Sequence, residues 1–116
     1  MDRTITRLKN LLQKQDITIY SHIDQQSEAA RSGLHLRPLQ LLIFGNPSAG
    51  IPLMNANPLC GLDLPLKVLV WEDDEKKVWL SYNKFDYLQK RFDLPSNLIL
   101  NVSRAETLFL KAASPE

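Results

Sequence analysis

The sequence has one cysteine, Cys60, so it cannot form an internal disulfide or a thiolate cage around a metal ion. It has no apolar run near the roughly 18–20 residues that a membrane-spanning helix needs. The first residues are interrupted by Asp2, Arg3, Arg7 and Lys9 and do not resemble a signal peptide. We therefore expect a cytoplasmic protein that does not contact a membrane.

The chain also has no large excess of positive or negative charge. The chain has 14 Lys and Arg against 13 Asp and Glu, a net charge of +1, and no sustained basic run. This balance argues against nucleic acid as a partner. Its 2 histidines, His22 and His35, have no local second ligand, and no Ser–His–Asp or Cys–His pattern appears. The sequence thus predicts no metal site, no cofactor and no catalytic residue.

What the chain does have is enough apolar material for a core. Its 116 residues are 44% hydrophobic, and a chain of this size should bury roughly two-thirds of its unfolded surface. Length and composition therefore predict a small soluble protein that forms a single domain over residues 1–116.

Periodicity predicts the elements of the first half. Residues 4–14 have helical apolar spacing, with Asp2 or Thr4 as a possible N-cap. A strand is expected over 17–24, with Ile17, Ile19 and Ile23 on one side. A second helix capped by Asp24 should follow, then a central strand over 38–45 with apolar residues on both faces, and a short helix over 48–55.

The second half predicts a hairpin and more helix. Strands over 65–73 and 77–83 alternate in polarity around a charged turn that lacks Asn-Gly, so the loop should exceed two residues. Helices follow over 85–92 and 96–113, with a possible break at Val102-Ser103. The order α-β-α-β-α-β-β-α-α predicts an α+β fold: a four-stranded, mainly antiparallel sheet with helices packed on one face.

Residues 44–72 have the most distinctive composition, and together with their flanks they resemble a known family. The shared set is Phe44-Gly45-Asn46-Pro47, Gly50, Leu53-Met54, Pro58, Asp63-Leu64-Pro65-Leu66-Lys67, Trp71-Glu72 and Ser81-Tyr82-Asn83. It resembles the bacterial family catalogued as domain of unknown function 302. The resemblance implies a TATA-binding-protein-like α/β fold, although that likeness does not carry DNA binding with it.

The resemblance implies no established reaction. The family commonly has Ile-Asp-His at the end of its first strand, whereas this chain has Ile23-Asp24-Gln25. A role that needs an imidazole at that position is therefore not expected here.

The first candidate site residues are Asn46, Pro47 and Gly50. One interpretation is structural: a turn in which Pro47 keeps Asn46 extended and the Asn46 side chain bonds nearby backbone. The other is a ligand site at the mouth of the sheet, where the next helix offers free backbone N–H groups to an anion and Gly50 permits close approach. This segment has neither the spacing nor the Lys-Ser/Thr ending of a phosphate loop.

Further candidates lie on the predicted hairpin. Asp63 and Lys67 form either an ion pair at the sheet edge or part of a site in which Lys67 holds a carboxylate or phosphate. Tyr82 is either a core ring with its hydroxyl at the rim or a ligand group. Glu72 and Asn83 complete the predicted ligand-binding set at the strand ends.

Three functional hypotheses remain open. The first is a non-catalytic module that binds a small anionic or polar ligand at the 46–58 segment and the strand ends. The second is a homodimer or partner-binding protein, suggested by the exposed Trp79 and the apolar 51–62 segment. The third is an enzyme with Asp63, Glu72 or Tyr82 as acid–base groups. We expect binding over catalysis.

Overall fold

The sheet has four strands, and every pairing between them is antiparallel. The structure is a computed structural model that describes residues 1–113, apart from the side chains of 101–103. The strands are β1 (Thr18–Asp24), β2 (Leu39–Gly45), β3 (Leu66–Glu72) and β4 (Val78–Ser81), in the spatial order β1-β2-β3-β4. The predicted α+β class and antiparallel sheet are confirmed. Residues 114–116 of the predicted single domain lie outside the described chain.

The helices follow the predicted order, with two additions. They are α1 (Asp2–Lys14), α2 (Gln25–Arg31), α3 (Pro47–Ala56), α4 (Phe85–Phe92), α5 (Ser96–Ser103) and α6 (Ala105–Ala113). A 3₁₀ helix (Pro58–Leu62) begins where Asn57 accepts a hydrogen bond from the Leu59 amide. The predicted final helix is two helices, because α5 packs against α3 and α4 whereas α6 packs against α1 and β4.

The predicted N-cap of α2 is confirmed, whereas that of α1 is not. Asp24 caps α2, since its Oδ1 accepts the Ser27 amide hydrogen at 3.0 Å. For α1 the prediction was wrong: the helix begins at Asp2, Met1 is the N-cap residue, and no side chain caps it. Thr4 is instead buried in the first turn, while the Asp2 carboxylate lies where it favours the helix dipole.

One face of the sheet forms the core with α1 and α6. Leu42, Phe44, Val68 and Val70 lie on this core face, and each is at most 1% exposed. Phe44 meets Phe109 of α6 edge-to-face, with ring centroids 5.6 Å apart. Such pairs contribute beyond their buried area, so the end of β2 and helix α6 are held in register with each other.

A bulge in β1 changes which side chains face the core. The β1–β2 pairing shifts between Ile19 and Ser21, which leaves Tyr20 without a cross-strand partner. The extra residue reverses the alternation, so Ile19 lies opposite the buried Phe44 whereas Ile23 lies opposite Leu41 on the other face. The prediction that Ile19 and Ile23 share one face was therefore wrong.

The second face of the sheet, which we call the open face, is largely apolar. Its apolar side chains do not pack against the core, and they are Ile23, Leu39, Leu41, Ile43, Leu69, Trp71 and Trp79. Three polar side chains share this face: Ser21, Lys67 and Ser81. The molecule is only 22 Å thick along its shortest axis, which is room for one sheet and one helix layer. Its surface of 7564 Å² exceeds the roughly 6,400 Å² expected for this mass. The sheet is therefore covered on one side only.

The β3–β4 turn is built around Asp73. Five residues, 73–77, join the strands, as the absence of Asn-Gly predicts. The Asp73 carboxylate accepts hydrogen bonds from the Glu75 and Lys77 amides and from Trp79 Nε1, each at 2.9 Å. These bonds lower the pKa of Asp73, and the bond from Trp79 has the largest effect. The turn in this way fixes Trp79 beside Trp71 on the open face.

Candidate functional site

Three strand ends meet at one edge of the sheet and enclose adjoining depressions. The end of β2 at Gly45, the start of β3 at Leu66 and the end of β4 at Ser81 lie together because neighbouring strands are antiparallel. The depressions have volumes of about 340, 170 and 110 Å³, and Leu66 lines all three. We call them the α6 cavity, the Tyr82 cleft and the Pro47 cleft.

The α6 cavity is the largest and has a basic wall. Its floor is apolar, formed by Ile17, Phe44, Leu66 and Leu108. Arg104 and Lys111 contribute two cationic side chains, and no carboxylate is among the described residues that line it. Polar groups come from Gln15, Asn46 and Thr107. The cavity therefore combines positive charge with an apolar surface.

Neither cation of the α6 cavity is neutralised within the part of the chain that the structure describes. The described ion pairs involve Arg31, Arg37 and Arg91 instead. Arg104 occupies the break between α5 and α6, and Lys111 follows two helical turns later on the same side. Within the described chain, the cavity wall therefore carries two cationic side chains without an ionic partner.

Arg104 and Lys111 were not among the site residues predicted from the sequence. The signal available was the spacing of Arg104, Thr107 and Lys111, three and seven residues apart on one side of a helix whose apolar residues lie on another. That spacing alone does not distinguish a solvated helix face from the wall of a cavity. The structure places α6 beside the end of β2, so these side chains line a cavity.

Asn46 lines the α6 cavity, but its carbonyl groups serve the backbone. Its side chain accepts the Ser48 amide hydrogen at 3.0 Å, and its main-chain oxygen accepts those of Ala49 and Gly50. Pro47 has no N–H. The expected free N–H groups at the start of α3 are thus already bonded, and that part of the anion hypothesis was wrong. The structural interpretation of Asn46-Pro47 as a capping turn is confirmed.

The Pro47 cleft brings Pro47 and Gly50 together with Tyr20, Met54 and Pro65. It is small and largely apolar. A Cβ placed on Gly50 would meet only Met54 Cε, at 4.0 Å. Glycine is therefore not required there for close packing, and the cleft has no charged side chain among its described lining residues.

The Tyr82 cleft brings together Asp63, Lys67, Tyr82 and Asn83, four of the candidates. Asp63 does not pair with Lys67. Its carboxylate accepts from Arg91 at 3.0 and 3.2 Å, and this charge raises the pKa of the guanidinium. Lys67 Nζ donates to the Pro65 carbonyl at 3.0 Å. Asp63 is thus a structural anchor between the 3₁₀ helix and α4.

Tyr82 is a ring at the rim of the core. Its centroid lies 4.7 Å from that of Phe109 and 6.1 Å from that of Phe85. Burial and, to a lesser extent, a hydrogen bond to Glu106 raise the pKa of Tyr82 to about 12. The hydroxyl remains protonated near neutral pH, so it does not serve as a general base there.

Glu72 lies away from the other candidates. It pairs with Val78 at the opposite end of β3 from Leu66, about 20 Å along the strand. The three groups named for acid–base chemistry, Asp63, Glu72 and Tyr82, therefore do not converge on one cleft. Cys60 is fully buried, and burial raises the pKa of its thiol.

No group of three or more His, Cys, Asp or Glu side chains within the described residues is arranged to hold a metal ion. Across residues 1–113, no helix combines the length and apolar character needed to cross a membrane.

Comparison with curated proteins finds relatives in Brucella. The chain is 38% identical over 91 residues, 78% of its length, to a protein of Brucella suis named fluoride-specific ion channel FluC 1. Proteins of Brucella abortus and Brucella melitensis, named FluC 1 and FluC 2, match equally well. The chain spans about a third of these relatives, 34–36% of their length.

A solved structure has the same fold. It is the uncharacterized conserved protein DUF302 from Bacillus stearothermophilus, with a TM-score of 0.85 over 98% of this chain and 91% of that one. Sequence identity is 20%, so the likeness concerns the fold. The family model described as domain of unknown function DUF302 matches residues 1–108. With the fold and most of the sequence in agreement, the chain belongs to the DUF302 family.

Proposed function

We propose that this domain is a non-catalytic module that binds a small organic anion in the α6 cavity. The observation that carries the proposal is the pair of unneutralised cations, Arg104 and Lys111, beside a floor of Ile17, Phe44 and Leu66. A volume of about 340 Å³ falls in the range of ligand pockets, about 300–1,000 Å³. Of the residues expected to form the site at the 46–58 segment and the strand ends, Asn46 lines the α6 cavity, whereas Lys67 lines the neighbouring Tyr82 cleft.

Size and polarity favour an organic ligand over a single ion. Because three relatives are named fluoride-specific ion channels, fluoride belongs among the anions to be tested. A monatomic ion would leave most of the cavity unfilled and its apolar floor exposed to water. An anion with a hydrocarbon part would cover the floor, adding about 25 cal/mol for each Å² of apolar surface removed from water.

The three groups named for acid–base chemistry give no competing case for catalysis. Asp63 is held by Arg91, the raised pKa of Tyr82 keeps its hydroxyl protonated, and Glu72 lies at the far end of β3. A general acid–base pair needs its groups within hydrogen-bond reach of one substrate. Binding without turnover is thus the function that this arrangement of side chains supports.

The test measures binding of carboxylates, organic phosphates and fluoride by thermal shift and calorimetry. The double variant Arg104→Gln/Lys111→Gln should weaken binding of a responding anion by up to about thirtyfold, because each exposed ion pair contributes up to about 1 kcal/mol. A matched variant, Arg3→Gln/Lys90→Gln, removes the same charge outside the cavity and should leave affinity unchanged. If both double variants weaken binding equally, or if no anion binds, the proposal fails.

A second candidate function, self-association, is favoured by the apolar open face. In such a dimer, a two-fold axis would lie parallel to the sheet and perpendicular to its strands. The open faces of the two copies would pack together, with β3 antiparallel to β3 of the other copy. This arrangement would cover Leu41 and Leu69 of both copies. Three strands of seven residues and one of four offer roughly 400 Å² per copy, so the contact area is below that of a standard stable interface. We expect a weak dimer.

Sedimentation velocity over a wide concentration range tests this second candidate. The wild-type chain should show a reversible rise in sedimentation coefficient, which Leu41→Lys on the open face should abolish. Leu110→Lys is the matched control, since Leu110 is 65% exposed and lies on α6, which packs against the opposite face of the sheet. A wild-type chain that stays monomeric at millimolar concentration would exclude self-association.

A further inference from the structure

Resting on the proposed function, we infer that the ligand of the α6 cavity carries two anionic groups separated by a short apolar spacer. Arg104 binds one group and Lys111 binds the other. Dicarboxylates are the simplest class with this chemistry.

The two cations are attached at opposite ends of α6. Arg104 directly precedes the helix and Lys111 lies near its end, seven residues later, so their Cα atoms are separated by about 10.5 Å along the helix axis. Seven residues is close to two whole turns, which places both side chains over the same side of the helix. The two positive charges are therefore anchored at separate points along the cavity wall.

The cavity that the cations share also has an apolar surface. Leu108, which lies between Arg104 and Lys111 along the chain, lines it together with the floor residues Phe44 and Leu66. A single compact anion held by both cations would require them to approach each other and would leave this apolar surface wet. A hydrocarbon spacer would cover the apolar floor. Each anionic end would contact its own cation, so the two cations need not approach each other.

Neutral donors are also present. Asn46 lines the cavity, and because its Oδ1 is occupied by the Ser48 amide, its side-chain N–H₂ can still donate a hydrogen bond. Thr107 lies between Arg104 and Lys111 along the helix and adds a hydroxyl. A carboxylate accepts several hydrogen bonds at once, so these donors supplement the ion pairs without adding negative charge.

A length series of dicarboxylates tests the inference. Affinity of the full chain is measured calorimetrically for the acids from malonate to suberate, for the monomethyl ester of each, and for inorganic phosphate. We expect an optimum inside the series, with the best diacid binding about two- to fivefold more tightly than its monoester, because one exposed ion pair contributes up to about 1 kcal/mol. Phosphate, with both charges on one group, should bind more weakly than that diacid.

Single variants supply the second readout. Arg104→Gln and Lys111→Gln should each bring the affinity for the diacid down to that for its monoester, because only one ionic contact is left. Lys90→Gln on α4 should preserve the difference, and urea unfolding of each variant checks that it folds.

The outcomes separate this inference from the proposed function. Equal binding of diacid and monoester by the wild-type chain, or preference for phosphate, would overturn the two-group ligand while leaving an anion site in place. Absence of binding by every anion would overturn both.

Discussion

Replacing Leu42 with alanine should lower the free energy of unfolding by about 2–5 kcal/mol, whereas the same change at Leu41 should cost under about 1.5 kcal/mol. The two residues are neighbours in β2 and differ chiefly in the face they occupy. Leu42 is 0% exposed on the core face, so truncation leaves a cavity. Leu41 lies opposite Ile23 and Leu69 on the open face, where water reaches it and no cavity forms.

Urea unfolding at low protein concentration measures both changes, with the denaturant slope checked to show that the two-state description holds. Equal losses for Leu41→Ala and Leu42→Ala would contradict a sheet covered on one side only. If self-association covers the open face, the cost of Leu41→Ala should grow with protein concentration, because dimer formation stabilises the folded chain by mass action. The cost of Leu42→Ala should not depend on concentration.

The sequence was most informative where a pattern repeats within one element. Alternation in β2 and β3 predicts both strands because Leu42, Phe44, Val68 and Val70 must be buried together, and the structure buries them. The wrong assignment of Ile23 has a specific cause. A bulge at Tyr20 inserts one residue, and a single extra residue moves every later side chain to the opposite face. Nothing in the local sequence of β1 marks that insertion.

The site was harder to predict because its parts come from distant positions. The Asp63–Arg91 pair joins residues 28 apart, so the sequence offered the nearer Lys67 as the partner. Arg104 and Lys111 belong to a helix whose direction depends on the break after α5. Asn46 was correctly recognised as a turn residue, yet its own hydrogen bonds remove the N–H groups that were expected to bind an anion.

These differences change the physical basis of the anion hypothesis. A helix N-terminus binds anions through unsatisfied amides, and α3 has used those of residues 48–50 in its own cap. Positive charge in the α6 cavity comes from side chains instead. Binding by exposed side chains is screened by salt, so affinity for an anion should fall as ionic strength rises.

Filling the α6 cavity should abolish binding without changing its charge. Ala49 on α3 lines the cavity, and Ala49→Phe would place a ring over the floor between α3 and α6. We expect affinity for a responding anion to fall by at least about tenfold, or 1.4 kcal/mol, because the ring occupies the space of the ligand's apolar part. Thermal stability should change little, since the ring enters a space that is already empty.

Ala56→Phe is the matched control. Ala56 ends the same helix, is exposed and does not line the cavity, so the same substitution there should leave binding intact. Retained affinity in Ala49→Phe, together with an unchanged effect of Arg104→Gln, would mean that Arg104 and Lys111 attract anions as surface charges without an enclosed site. If both variants fold and only Ala49→Phe loses affinity for the anion, the anion lies inside the cavity. The only difference between the two variants is the position of one ring.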